Sequence, residues 1–252
     1  MICCLLIVTA VAAPDADVVR RPPAEATWQY QLEGRVDFSN PARVFDIDGQ
    51  ATPASTVARL QRAGRYVVCY ISAGSYERWR PDAARFRTSL LGKSNGWAGE
   101  RWLDIRRLDL LAPIMRARMD MCKAKGFDAV EPDNVDGYAN STGFALSASD
   151  QLAYNRWLAD AAHARGMAIG LKNDLDQIRE LVGRFDFAIV EQCFEHDECD
   201  AVAPFLRRGK AVFVVEYRGS RASFCPPARR LGINVLRKRL DLRAPAWRCP
   251  AR

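Results

Sequence analysis

The chain has 252 residues, is 49% hydrophobic and 27% charged, and carries a formal net charge of +7. Those proportions are ordinary for a globular protein and exclude a disordered chain, and the length suits one large α/β barrel or two small domains. The basic residues are scattered, densest in "RRLGINVLRKRLDLR", and match no nucleic-acid-binding module, so the charge reads as a solvated surface with no nucleic-acid partner.

At the start, residues 1–13 form an apolar run that ends in small residues, with an Ala-x-Ala step at Ala10 to Ala12. This reads as a secretory signal peptide without its positive start, the other reading being a buried N-terminal helix. It is too short for a stable membrane anchor, and no other segment could insert. Residues 14–26 are expected to be a linker, and residues 27–252 a single domain. Export would make Cys69, Cys122, Cys193, Cys199, Cys225 and Cys249 disulfide candidates, with Cys3 and Cys4 left in the leader.

Within the domain, "WQYQLEG" around Trp28 predicts a first strand and "RVFDIDG" around Phe45 a second. One pattern then recurs: a helix-like segment ends in basic residues and Gly, and an apolar strand follows at once. It reads "LQRAGRYVVCYISAG", "CKAKGFDAVEPDN", "AHARGMAIGLKND", "LVGRFDFAIVEQC", "LRRGKAVFVVEYRG" and "ARRLGINVLRKRL". Eight strands alternating with helical segments predict a single (β/α)8 barrel, an α/β fold usually of ~250 residues. A doubly wound sheet is the alternative, but no Gly-rich phosphate loop follows the first strands. Trp79 to Asp104 read as a long loop insertion after the third strand.

Strand side chains alternate between two faces. One face stays apolar to the end, as with Val67, Cys69 and Ile71. The other turns polar at its C-terminal end, giving Asp46 and Asp48, Tyr70, Glu131 and Asp133, Lys172, Glu191, and Glu216 read on the face of Val214. In a barrel this face converges on the mouth where active sites are built. Two carboxylates there are the equipment of glycoside hydrolysis, one protonated and one ionised. Tyr76, Trp79, Trp97, Trp102 and Tyr138 could stack on sugars. His163 reads as structural, and His196 as a loop residue that could border the site. There is no H-E-x-x-H, paired C-x-x-C or G-x-S-x-G, so neither metal nor cofactor is expected.

The pieces "FDIDG", "VCYISAGSYERWRPD", "GERWLDIR", "GFDAVEPDNVDGY", "GLKND", "VEQCFEHDEC" and "VFVVEY" occur in one order from Trp28 to Leu242. Together they resemble glycoside hydrolase family 114, the endo-α-1,4-polygalactosaminidase-like barrels. The resemblance implies a secreted or surface enzyme, expected to be a monomer, that cleaves α-1,4-linked galactosamine-containing polysaccharide. Carried over, it implies Asp133 and Glu191 as the catalytic carboxylates. Asn134 and Lys172 near Asp133 would hold it ionised, which makes it the expected nucleophile or charge stabiliser, and Glu191, which follows the apolar "FAIV", the expected general acid. Asp46, Asp48, Tyr70, Glu77, Glu131, Asn134, Lys172 and Glu216 would bind substrate. Cys193–Cys199 would pin the loop after the sixth strand, Cys225–Cys249 would tie back the C-terminal segment, and Cys69 could pair with Cys122. Two other readings stay open: a carbohydrate-binding barrel without catalysis, and an aldolase or lyase using Lys172.

Overall fold

A computed structural model describes residues 19–249. The expected signal peptide at 1–13 and the linker residues 14–18 lie outside the described residues. Eight parallel strands follow one another in a curled sheet: β1 Trp28–Gln31, β2 Val44–Asp48, β3 Tyr66–Ser72, β4 Ala129–Asp133, β5 Ala168–Lys172, β6 Phe187–Glu191, β7 Val212–Glu216 and β8 Asn234–Arg237. A short strand, Trp247–Arg248, pairs antiparallel with β8. At the seam between β1 and β8, Trp28 Nε1 donates to the Asn234 carbonyl at 3.2 Å. Outside the strands lie α1 Ala54–Arg62, α2 Leu108–Lys125, α3 Ala148–His163, α4 Ile178–Leu181, α5 Ala203–Arg207 and α6 Arg221–Leu231. The architecture is a single (β/α)8 barrel. No described helix is long and apolar enough to cross a membrane.

Helix boundaries follow local chemistry. A reciprocal capping box of Ser147 and Asp150 opens α3, and Ser220 with Ser223 opens α6. At the end of α2, Gly126 takes φ 91°, which a side chain would resist, and its N–H returns to the helix. Between β1 and β2 the ring of helices is interrupted. Residues 32–43 carry turn formers (Gly34, Ser39, Asn40, Pro41) without a 3.6-residue apolar period, though Leu32, Val36, Phe38 and Ala42 pack on the core.

Strand alternation divides the apolar mass into two layers. Phe45, Ile47, Val67, Cys69, Ile71, Val130, Ile169, Leu171, Ala188, Val190, Val212 and Val214 pack under the helices. Trp28, Tyr30, Val44, Val68, Ala129, Ala168, Phe187, Ile189, Phe213, Val215 and Leu236 fill the barrel. The seventh strand corrects the sequence reading. Its inner residues are Phe213 and Val215, so Glu216 shares the outer face with Val214 and does not reach the mouth. Both faces of "VFVV" are apolar, so polarity could not decide which one faced inward.

Three disulfides join the elements. Cys69 on the outer face of β3 bonds Cys122 of α2, Cys193 bonds Cys199 after β6, and Cys225 of α6 bonds Cys249. The first closes a sequence separation of 53 residues, the longest of the three. Loop-closure entropy then predicts that replacing Cys69 and Cys122 together by Ala lowers unfolding free energy by about 2–4 kcal/mol. Denaturant titration without reductant measures this, and a loss well below 1 kcal/mol would contradict it.

Candidate active site

Lys172, the last residue of β5, sits at the centre of the mouth with its side chain 1% exposed. Its Nζ lies 3.1 Å from Glu131 Oε1, 3.0 Å from Asp133 Oδ1 and 3.4 Å from Glu191 Oε2. It also donates to the Tyr30 hydroxyl at 3.0 Å, which in turn donates to Glu131 Oε1 at 3.2 Å. Burial works against the ammonium, but Asp133, Glu131 and Glu191 overrule it and hold the Lys172 pKa well above its ordinary value.

Asp133 ends β4, faces the cleft and is bonded on both oxygens. The Asn134 N–H donates to Oδ1 at 2.8 Å, and Tyr70 Oη donates to Oδ2 at 2.8 Å. Burial alone would raise its pKa, yet Lys172, Tyr70 and the Asn134 N–H together hold it below the usual carboxylate range. Glu191, at the end of β6, accepts a short hydrogen bond from Tyr217 Oη on Oε1. Tyr217 follows β7 on the inner face that Glu216 was expected to occupy. It lay within the quoted "VFVVEY", and the correct strand parity would have identified it.

Two expected rim residues lie deeper. Asp46 and Glu131 are wholly buried beneath the cleft floor. Among the described residues no donor group reaches either Asp46 oxygen or Glu131 Oε2, and the two carboxyls lie within hydrogen-bond reach of each other. Burial first, then the neighbouring Glu131 charge, push the Asp46 carboxyl far up, and burial also raises Glu131 against the pull of Lys172. A proton on Asp46 donated to Glu131 satisfies both orphaned groups. These two residues therefore support the floor rather than contact substrate.

The chain turns sharply beneath the mouth. Asn134, Asn173, Asp174 and Gln192 all take left-handed φ values, of 62°, 49°, 47° and 61°, just after β4, β5 and β6. Asn and Asp tolerate this geometry better than most side chains. Asn134 Nδ2 reaches the hydroxyls of Ser72 and Ser75 at 3.1 and 3.2 Å. Gly74 passes so close that a Cβ there would lie 1.6 Å from the Asn134 carbonyl oxygen. Asn173 Oδ1 accepts the Glu191 N–H at 3.0 Å, fixing where that strand ends.

Residues 73–107, between β3 and α2, form one wall, built on a hairpin of Ser75–Glu77 with Glu100–Trp102. Arg80 binds Glu77 through two nitrogens, at 2.7 and 2.6 Å, and Asp48 at 2.6 Å. Asp48 and Glu77 thus line the cleft with their carboxylates engaged by Arg80. Arg118 of α2 bonds both oxygens of Asp82 and the Ser72 carbonyl, tying the wall to the barrel. Trp79 and Trp97 stand on this wall, 53% and 55% exposed, and Trp102 lies behind them. The cleft encloses about 1270 Å³ and continues past Tyr70 into a groove beside α1, lined by Val36, Phe38, Arg59 and Arg62. Tyr76, Tyr138 and His196 are not among its lining residues. His163 bonds Asp186 at the opposite end of the barrel. Glu216 lines a separate outer hollow, where Oε1 accepts the Phe194 N–H at 2.9 Å.

Two further carboxylates stand beside the centre. Asp136 lines the cleft, and burial with the Asp133 charge pushes its carboxyl up to about 6. Asp174, 4% exposed, takes one bond from Asn155 Nδ2 at 2.8 Å and leaves Oδ1 without a partner. Burial, then Asp136, push the Asp174 carboxyl up to about 7.

The model of glycoside-hydrolase family GH114 matches residues 8–251. Ega3 of Aspergillus fumigatus, solved as a complex with galactosamine, is 39% identical, with a TM-score of 0.87 over 91% of this chain and 97% of that one. The glycoside hydrolase domain of PelA from Pseudomonas aeruginosa has a TM-score of 0.70 over 88% of this chain and 98% of that one. At 12% identity this is a likeness of fold. Amy13B of Eubacterium rectale shares the fold more distantly, at 7% identity and a TM-score of 0.53 over 79% of this chain and 61% of that one. No curated protein matches the chain.

The Asp174 carboxyl holds its proton more tightly folded than unfolded. Its contribution to stability is therefore complete below the ordinary value of 3.8 and is lost as pH rises through about 7. Asp174→Asn keeps an acceptor for Asn155 and suits the left-handed backbone. At pH 8 it should unfold at higher denaturant than the wild type, by about 1–3 kcal/mol. The advantage should close as pH falls toward 4. A constant offset at both pH values would refute the assignment.

Proposed function

Because the chain belongs to glycoside-hydrolase family GH114 and is a glycoside hydrolase, we propose that it cleaves α-1,4-linked galactosamine-containing polysaccharide, with Asp133 and Glu191 as its working carboxylates. The observation that carries this reading is the buried ammonium of Lys172, which gathers both carboxylates on the floor of an open cleft. The galactosamine complex of the 39% identical Ega3 supports the substrate class. Three disulfides favour an extracellular setting. Asp133, Glu191 and Lys172 come from one chain, in keeping with the expected monomer.

Asp133, held ionised by Lys172, Tyr70 and the Asn134 N–H, attacks or stabilises the anomeric carbon. Glu191, side chain 26% exposed, delivers a proton to the leaving oxygen, with Tyr217 fixing its orientation. Lys172, kept cationic by three carboxylates, has no free amine for a Schiff base, which argues against the aldolase reading. Mass spectrometry of the products from partially acetylated polygalactosamine tests the activity directly. Binding without released oligosaccharides would favour the carbohydrate-binding reading.

The assigned roles separate by leaving group. Asp133→Asn should lower kcat by at least about a thousandfold on every substrate. Glu191→Gln should be far less harmful where the leaving group departs without protonation. Equal sensitivity of both variants to leaving-group acidity would reverse or void the roles.

Asp133 Oδ1 and Glu191 Oε2 touch the same Nζ at 3.0 and 3.4 Å, so these oxygens lie no farther apart than the sum of those distances, 6.4 Å. Retaining enzymes place their carboxyls about 5–5.5 Å apart and inverting ones about 6.5–9.5 Å. The first product seen by proton NMR should therefore be the α-anomer. A β-anomer appearing first would show inversion.

A further inference from the structure

We propose that Asp136 receives the ammonium group on the carbon next to the cleaved bond, and so selects an unacetylated amino sugar over its N-acetyl form; this rests on the galactosamine reading above. Asp136 lies three residues beyond Asp133 and lines the same cleft. It precedes the short helical turn Gly137–Ala139 without capping it. Among the described residues, no side chain bonds its carboxylate and no Lys, Arg or His forms an ion pair with it.

Its neighbours differ in this respect. Asp48 and Glu77 are matched by Arg80, Asp82 by Arg118, Asp104 by Arg106 and Asp133 by Lys172. Lys172 is already surrounded by three carboxylates. Behind Asp136 stands a second uncompensated acid, Asp174, with one oxygen buried and without a partner. A half-buried carboxylate without a counter-charge is costly, and two side by side cost more. Burial first, and then the charge of Asp133 on Asp136 and of Asp136 on Asp174, displaces both carboxyls upward, and the pull of Lys172 on Asp136 does not offset it. Both defects lie beside the working centre, so the natural source of the cation is the substrate.

The reaction gives the pairing a further purpose. Positive charge develops at the anomeric carbon as the bond to the leaving oxygen breaks. An ammonium on the adjacent carbon repels that charge at close range. A carboxylate facing the ammonium offsets the repulsion in both ground and transition states. An N-acetyl group carries no charge and has no such need.

The test compares kcat/KM for the wild type, Asp136→Asn and Asp136→Glu on galactosamine oligosaccharides and their N-acetylated counterparts at pH 8, with affinities for both from calorimetry. Asp136→Asn should lose at least about tenfold on the amine substrate, in rate and in affinity, and much less on the N-acetyl form. Asp136→Glu, which keeps the charge, should recover part of the loss. A loss equal on both substrates, or selectivity unchanged from the wild type, overturns the proposal. A wild type that turns over neither substrate overturns the galactosamine reading and this inference together. A wild type active on the amine with Asp136→Asn unimpaired overturns this inference alone.

Discussion

One buried ammonium organises the mouth of this barrel. Without Lys172, Glu131, Asp133 and Glu191 would crowd together as like charges in a poorly hydrated space, which no fold supports cheaply. With it, three strand ends are held at fixed distances from a common point. The surrounding features serve that arrangement: Tyr30 accepts a hydrogen bond from Lys172, and burial beside Glu131 favours the neutral form of Asp46. The left-handed turns after β4, β5 and β6 end each strand where its side chain can reach the centre.

Much of this was legible in the chain. A period of two in β3, β4 and β5 put Tyr70, Asp133 and Lys172 on one face, and the repeated helix-then-strand pattern gave the eight strands. What escaped were matters of depth and partnership. Asp46 and Glu131 share the parity of Asp48 and Asp133, but each lies one pleat lower, and alternation states a side and not a height. Glu216 was read inward because it was the only polar residue in a strand apolar on both faces, while Tyr217, one position on, held the inner place. Asp48 and Glu77 reached the expected cleft, but their engagement by Arg80 depends on a contact 32 positions away for Asp48, which no local spacing encodes.

The segment between β3 and α2 shows how such long-range pairing becomes mechanical. Arg80 and Arg118, both with side chains at most 8% exposed, fix the hairpin through forked contacts to Glu77 and Asp82. Planar guanidinium forks lose little freedom per bond formed. A wall held in this way is a standing part of the cleft, and it carries the exposed Trp79 and Trp97.

The missing helix between β1 and β2 has a topological effect on the cleft. A full ring of helices and loops would make the mouth a bowl with a closed rim. Here that stretch is a loop, and the lining of the cavity takes in the tryptophans, the carboxylates, and Val36, Phe38 and Arg59. With a loop in the helix's place, Gln31 to Val36 and Phe38 themselves become lining, and the cleft reaches beyond the strand ends.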